Sequence, residues 1–399
     1  MSGSFHMLFT LVLVILAVPA VFSCTYLLLL TLLSASLRPP PQSSRTLRFD
    51  LIVPAHNEQE GVTRTVASLL AVDWPSDRFR VLVVADNCQD ETAAVARAAG
   101  ASVLERRDEQ LRGKGYALAH AFAASATEGF ADAVVVVDAD AEVSANLLES
   151  CAARIERGAE AIQVHYGILN PWASWRTQLI TIAKGAFHTV RSRARERLGL
   201  SCGIRGNGWC VTHALLREIP YRFFSLSEDV EFGIALGLAK HRIEYAGEAH
   251  SNADMAVTEK TARSQRQRWE KGRFQTIRTF TGPLLRAAIR QRSLICLDLA
   301  CDLLVPSLSY LVLNLVILGL AAGIGVESGL APALWVWLVL GCFAALSLHV
   351  LRGWQLSGIG LRGLGALAHV PGFIVWRIRI LLGKKSAEWV RTERERDHS

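Results

Sequence analysis

The chain has 399 residues, a formal net charge of +7 and a hydrophobic content of one half. Its size fits about two or three domains, and its eight cysteines form no CxxC pair, which argues against a disulfide framework or zinc site and fits reduced thiols. The positive balance suits contact with anionic lipid or phosphates; no nucleic-acid motif accompanies it, so nucleic acid is not an expected partner.

The apolar residues are concentrated at the two ends. Met7 to Ser36, Leu303 to Val326 and Ser328 to Leu351 contain no Asp, Glu, Lys or Arg. Each run exceeds the roughly 20 residues that cross a bilayer, so three transmembrane helices are expected, over 1–37, 303–326 and 328–351. The first lacks a basic leader and is longer than the apolar core of a signal peptide, which makes it an uncleaved anchor. Arg38, Arg45 and Arg48 follow the first span, a cluster from Lys260 to Arg292 precedes the second, and Arg352 and Arg362 follow the third. All fall on one side of three spans, so the middle of the chain is expected in the cytosol. Residues 283–302 are expected as one interfacial helix. Residues 352–399 are expected as an interfacial amphipathic helix, centred on Gly363 to Trp376, and a charged tail.

Between the spans, a linker over 38–48 begins with Pro39, Pro40 and Pro41, and a cytosolic domain is expected over 49–282. The segment 48–58 is a short apolar strand ending at Pro54, with a helix to follow near Glu58 to Ala71. A second strand over 80–85 ends in Asp86 and Asn87, and an alanine-rich helix starts near Asp90. Gly113-Lys114-Gly115 opens another helix, and four valines run into Asp138-Ala139-Asp140. Continuous Val/Ile/Leu runs alternating with helices predict an α/β domain with a parallel sheet covered on both faces. In such sheets ligands bind beyond the carboxyl ends of the strands, where His56-Asn57-Glu58, Asp86-Asn87 and Asp138-Ala139-Asp140 stand. Neither GxGxxG after the first strand nor GxxxxGK[ST] is present.

Two carboxylates at a sheet mouth repel each other unless a cation lies between them. Magnesium or manganese bridging phosphates would resolve that, while capping of a helix near Asn146 by Asp140 or Ser144 is the structural alternative. Glu228, Asp229 and Glu231 open a helix whose apolar positions are Val230, Phe232, Ile234 and Leu238, and acids there also suit a helix dipole. Arg266, Arg268, Lys271 and Arg273 surround Trp269, a pattern shared by lipid-bound amphipathic helices and by sites for a diphosphate and a stacked sugar.

Taken together, Asp86, Asp138-Ala-Asp140, Ser227-Glu228-Asp229 and Gln265-Arg-Gln-Arg-Trp269 resemble the D, DxD, (T/E)D and Q(Q/R)xRW series of family 2 inverting glycosyltransferases. The order and the placing of the last motif before the C-terminal spans resemble the membrane-bound branch with cellulose, chitin, hyaluronan and poly-N-acetylglucosamine synthases. The likeness covers about Arg48 to Arg292 and the flanking spans. It implies a GT-A-type, Rossmann-like domain that uses a nucleotide-sugar donor, Mg2+ or Mn2+, and a lipid-linked or glycan acceptor at the cytosolic face of a bacterial cytoplasmic membrane. By the same likeness, Asp86 would contact the base near Pro54, Ala55 and Glu58. Asp138, with Ala139, would touch ribose and diphosphate, Asp138 and Asp140 would hold the metal, and Lys114 would lie by the diphosphate. Asp229 would be the general base, Gln265, Arg268 and Trp269 would bind diphosphate and acceptor sugar, and Cys202, Gly203 and Glu228 would lie on the acceptor side.

Two features depart from that pattern. Ile204 follows Cys202-Gly203 where the branch has serine, and processive synthases generally carry more than three spans. Single transfer is therefore favoured over a small processive synthase acting with a partner subunit or as a homo-oligomer. A transporter component is disfavoured because the apolar runs hold no internal ionisable pair. A regulator that binds nucleotide without turnover would be favoured by an Asp229 distant from the nucleotide pocket, and a nucleotidyltransferase would not need Gln265, Arg268 and Trp269 beside the membrane.

Overall fold

In the computed structural model, which describes residues 2–257 and 259–382, the alternation read from the sequence becomes one mixed sheet. After helix α1 (Ser2–Leu32) come β1 (Phe49–Ala55), α2 (Val62–Leu70), β2 (Phe79–Asp86), α3 (Thr92–Ala98), β3 (Ser102–Arg106), α4 (Lys114–Glu128) and β4 (Ala133–Val136). Next are β5 (Ala141–Val143), α5 (Leu147–Ile155), β6 (Ala161–Ile168), α6 (Trp175–Lys184), a π-helical segment (Gly185–Val190) and α7 (Arg191–Arg197). The domain closes with β7 (Trp209–Thr212), α8 (His213–Glu218), α9 (Glu228–Leu238) and β8 (Ile243–Ala253). Helices α10 (Glu259–Gln291), α11 (Leu294–Leu304), α12 (Leu308–Glu327), α13 (Leu334–Leu356) and α14 (Val370–Leu382) follow, with a 3-10 stretch over Leu361–His369.

The sheet order is β3-β2-β1-β4-β7-β6-β8-β5. Strands β2, β1 and β4 run parallel as expected, β3 adds an unexpected parallel edge strand beside β2, and β7 is antiparallel to both β4 and β6. Alternate residues serve opposite faces. Leu51 and Val53 pack with Val62, Val66 and Leu69 of α2 and Leu147 of α5. Ile52, Val84 and Val136 face Leu118 and Phe122 of α4, Trp209 and Phe232. At about 25 cal/mol per Å2 of apolar surface, these two layers are the main stabilising term of the domain.

Helices α1, α12 and α13 are long and apolar enough to cross a membrane. They bury Leu13, Leu27, Leu311, Leu315 and Leu346 against one another. Two polar contacts join them, with Thr31 Oγ1 2.8 Å from His349 Nδ1 and Asn314 Nδ2 donating to the Leu16 carbonyl at 3.0 Å. The bundle meets the sheet domain at glycines: a Cβ on Gly185 would lie 2.2 Å from the Gly353 carbonyl of α13.

Three expectations are corrected. Residues 283–302 are not one helix, because Arg292 adopts φ 51° and the Ser293 hydroxyl caps α11 by accepting from the Cys296 amide at 3.2 Å. Asp140 and Ser144 do not cap α5, since β5 follows the DxD directly and Ser144 Oγ accepts from the His250 amide. The Gly363 to Trp376 stretch is divided between the 3-10 segment and α14, whose Phe373 reaches Trp175. The charged tail expected beyond Leu382 lies outside the described residues.

Candidate active site

The ends of β1, β2 and β4 deliver the expected polar clusters to one edge of the sheet. Asn57 and Asn87, at φ 55° and 53°, turn the chain sharply after β1 and β2, a conformation asparagine tolerates. Pro54 and Glu58 are half-buried and Ala55 is buried beside Asp86, whose carbonyl lies 2.7 Å from His56 Nδ1. The Asp86 carboxylate is buried and accepts from Arg106 Nη1 at 2.6 Å. Arg106, at the end of β3, in turn lies over the ring of Tyr116, which stacks on Phe224 with centroids 4.2 Å apart.

Lys114 is the first residue of α4, where Gly115 is obligatory: a Cβ there would lie 2.2 Å from the Phe223 carbonyl. Its ammonium donates to Asp138 Oδ1 at 2.5 Å and to the Gly206 carbonyl at 2.7 Å. Burial works against this charge, but Asp138 and Glu228 outweigh it and hold the Lys114 pKa above its ordinary value. Asp138 is also fixed through its amide, which donates to buried Asn207 Oδ1 at 3.0 Å; the same oxygen accepts from Ser251 Oγ. Ala139 is buried and its carbonyl accepts from Thr65 Oγ1, while Asp140 is half-buried.

The loop 201–210 carries three left-handed glycines, Gly203, Gly206 and Gly208. Cys202 is fully buried in the core, its thiol pushed up to about 12 by burial, so its side chain faces away from the sheet mouth. Gly206 is the contact that joins this loop to α9: a Cβ on it would stand 3.1 Å from Asp229 Oδ2. Asp138, Lys114, Gly206 and Asp229 therefore form one continuous chain of contacts. Burial raises the carboxyls of both Asp229 and Glu228; Asp229 raises Glu228 further, and the Lys114 ammonium opposes both shifts.

Helix α10 lies between the turn that begins α9 and the apolar helix α12, whose Tyr310 hydroxyl donates to Glu270 at 2.8 Å. A Cβ on Gly272 would lie 2.1 Å from Ser227 Oγ, so α10 rests on the turn that begins α9. Gln265, Arg268, Trp269 and Gly272 are spaced along one face of that helix. Gln265 and Arg268 are half-buried and Trp269 is 37% exposed, with the Arg266 guanidinium 5.4 Å above its ring.

This geometry agrees with what the chain is similar to. The sequence profile described as glycosyl transferase family 2 matches residues 50–210, and that of glycosyl transferase family group 2 matches residues 133–352, more than half of the chain. The chain belongs to glycosyl transferase family group 2. It is 23% identical over 242 residues to a probable glycosyltransferase of Bacillus subtilis, covering 58% of this chain and 57% of that one. It is 27% identical over 235 residues to the beta-monoglucosyldiacylglycerol synthase of Synechocystis, covering 56% and 47%. The chain thus spans about half the length of the curated relatives it matches. A mannosyltransferase from Pyrobaculum calidifontis, solved with GDP-Man and Mn2+, shares the GT-A fold at a TM-score of 0.53 and 16% identity, covering 84% of this chain and 97% of that one.

Several residues around this candidate site escaped sequence reasoning. Arg106, Asn207, Tyr166, Lys184 and Arg205 lie in no recognisable motif, and their roles depend on neighbours far away in the chain. Arg205 and Asn207 left a signal, standing on either side of Gly206 in a glycine-rich loop.

Proposed function

We propose that this chain is an inverting glycosyltransferase that moves a sugar from a nucleotide-diphosphate donor to an acceptor hydroxyl on a lipid-linked or glycan substrate at the cytosolic membrane face. The contact chain from Asp138 through Lys114 and Gly206 to Asp229 carries this reading, because it sets a donor-side carboxylate and a half-buried candidate base on opposite sides of one loop. Asp86 and the Pro54, Ala55, Glu58 turn would receive the base, and Lys114, Gln265 and Arg268 the diphosphate. Trp269, Gly203, Glu228 and the backbone beside Cys202 would border the acceptor.

Asp138 and Asp140 offer hard carboxylate oxygens at the mouth of β4, a donor set suited to Mg2+ or Mn2+. When bound, such an ion would neutralise charge on the departing diphosphate. Asp229 would take the proton from the acceptor hydroxyl. The hydroxyl oxygen bonds to the anomeric carbon as the carbon–oxygen bond to the diphosphate breaks, which inverts that centre without a nucleophilic side chain. Burial that raises Asp229 brings its pKa toward the operating pH, which favours a general base.

The membrane-bound branch, the cytosolic placing of 49–282 and the lipid-linked acceptor belong to the same proposal. Their support is the seating of α10 between the site and the apolar helices, and the glycolipid synthase among the relatives. The apolar helices pack directly on one another, which favours single transfer over threading of a polymer between them. The test is a screen of UDP- and GDP-sugars with Mn2+ or Mg2+ and a membrane-lipid extract as acceptor source, using the full chain in detergent. Metal-dependent release of nucleoside diphosphate is expected; failure to bind any nucleotide would overturn the reading.

A further inference from the structure

Lys184 ends α6, at the start of the π-helical segment, an irregularity that often marks functional positions. Its ammonium has no hydrogen-bond partner among the described residues and stands 3.2 Å above the ring of Tyr166. Tyr166 pairs with Ser251 of β8, whose hydroxyl donates to the Asn207 oxygen that also receives the Asp138 amide, so Lys184 lies beside the candidate active site.

Other donors gather behind it. His188 Nδ1, Arg191 Nε, and Nε and Nη2 of Arg205 are also buried without a partner. His188 lies beside Tyr166 with centroids 5.5 Å apart, and Arg191 and Arg205 both lie over Phe187, at 4.6 and 4.8 Å. Asp302 answers these cations only in part. It meets Arg191 at 2.9 Å, Arg195 at 2.8 Å and Arg205 at 3.6 Å, and Arg195 is shared with Asp298. Three guanidiniums thus face two carboxylates, and the Lys184 amine, which burial pushes down to about 7, adds a further unmatched donor. Buried donors are rarely left unmatched, so the surplus calls for an anion from outside the chain.

The position says where that anion comes from. The segment that follows Lys184 touches α13 backbone to backbone, with a Cβ on Gly353 reaching 2.6 Å from the Ala186 amide nitrogen. The unmatched donors therefore lie at the junction of the sheet mouth and an apolar helix.

We propose that Lys184 and Arg205, with His188 beside them, bind a phosphate group carried by the lipid acceptor. This rests on the transferase reading above and narrows its acceptor to a phosphate-bearing lipid. The phosphate anchors the head group while a neighbouring hydroxyl reaches Asp229. Guanidinium and ammonium together match a phosphate, which offers several strong acceptor oxygens. Phosphate free in solution shares that chemistry, and the test separates the two sources.

Oleoyl lysophosphatidic acid and monoolein differ by the phosphate alone, and their binding to the full chain in detergent would be measured beside inorganic phosphate and UDP or GDP with Mn2+. The phosphate lipid is expected to bind about tenfold or more tightly than monoolein, as charge-assisted hydrogen bonds imply. Lys184→Met and Arg205→Met are each expected to remove most of that difference, and Lys184→Arg to restore part of it. Equal binding of the two lipids by a parent protein that binds nucleotide would overturn the inference and leave the transferase reading standing. Loss of nucleotide binding would overturn both. Inorganic phosphate binding as tightly as the phosphate lipid would assign the site to a free anion and overturn the lipid source. The lipid comparison on the parent protein decides the matter even where a variant does not fold.

Discussion

Gly206→Ala isolates the contact between the glycine loop and the candidate base. Gly206 sits at φ +91°, and an added Cβ would stand 3.1 Å from Asp229 Oδ2. The substitution therefore carries two penalties: backbone strain of about 1–3 kcal/mol, and a push of a few tenths of an ångström on the carboxylate. Since a misplacement of about 1 Å costs roughly 100-fold in rate, a shift of a few tenths should lower kcat by about 4- to 10-fold. Donor binding should change far less, because Asp138 keeps its Lys114 and Asn207 contacts. Gly129→Ala supplies the control. Gly129 ends α4 at φ +62° with nothing within 4 Å of an added Cβ, so it carries strain alone. Steady-state kinetics and thermal unfolding of both variants in detergent would separate the terms. Both should lose stability, and only Gly206→Ala should lose turnover. Parent-like kcat in Gly206→Ala, or an equal loss in Gly129→Ala, would refute the reasoning.

Lys114→Met removes the positive charge that holds Asp229 down, so the carboxyl pKa, already raised by burial, rises further. Because the ionised form is the active one, the acid limb of the kcat–pH profile should move to higher pH; an unmoved limb would contradict the assignment. Asp140→Asn should abolish metal-dependent nucleotide binding, as chelation of the parent should, and calorimetric titration with UDP or GDP and Mn2+ would show parent-like affinity if Asp140 holds no metal. Arg195→Met strips the charged partner from Asp298, leaving it the Tyr26 hydroxyl, and one cation from Asp302, inside the protein, where Arg195 is fully buried. Leaving such charges uncompensated should cost about 3–5 kcal/mol, seen as a lower unfolding temperature.

Much of this architecture was legible because buried parallel strands need continuous apolar runs. The valines of β4, the Asp86 and Asp138 strand ends and the apolar helices all follow from that pattern. Strand β3 was missed because Ser102–Arg106 lies at the sheet edge and is only half-buried, so its composition carries little apolar signal. The antiparallel setting of β7 was equally hidden, since an apolar run does not encode its direction. Within the site, motif residues stand out by type and spacing. Asn207 and Lys184 do not, because their importance arises from contacts with Asp138 and Tyr166 that only the fold creates. Asp298 and Asp302 gave no signal either, because their pairing of Arg191, Arg195 and Arg205 to α11 joins parts of the chain about 100 residues apart.

The central claim is that Asp229 is the base of a sugar transfer and not part of a passive nucleotide pocket. Its most direct test is nucleoside diphosphate release by the parent and by Asp229→Asn, with binding of the same donor measured on both. The account predicts retained donor binding in Asp229→Asn and a loss of acceptor-dependent release. Undiminished release by Asp229→Asn, or equal loss of binding and release, would contradict it.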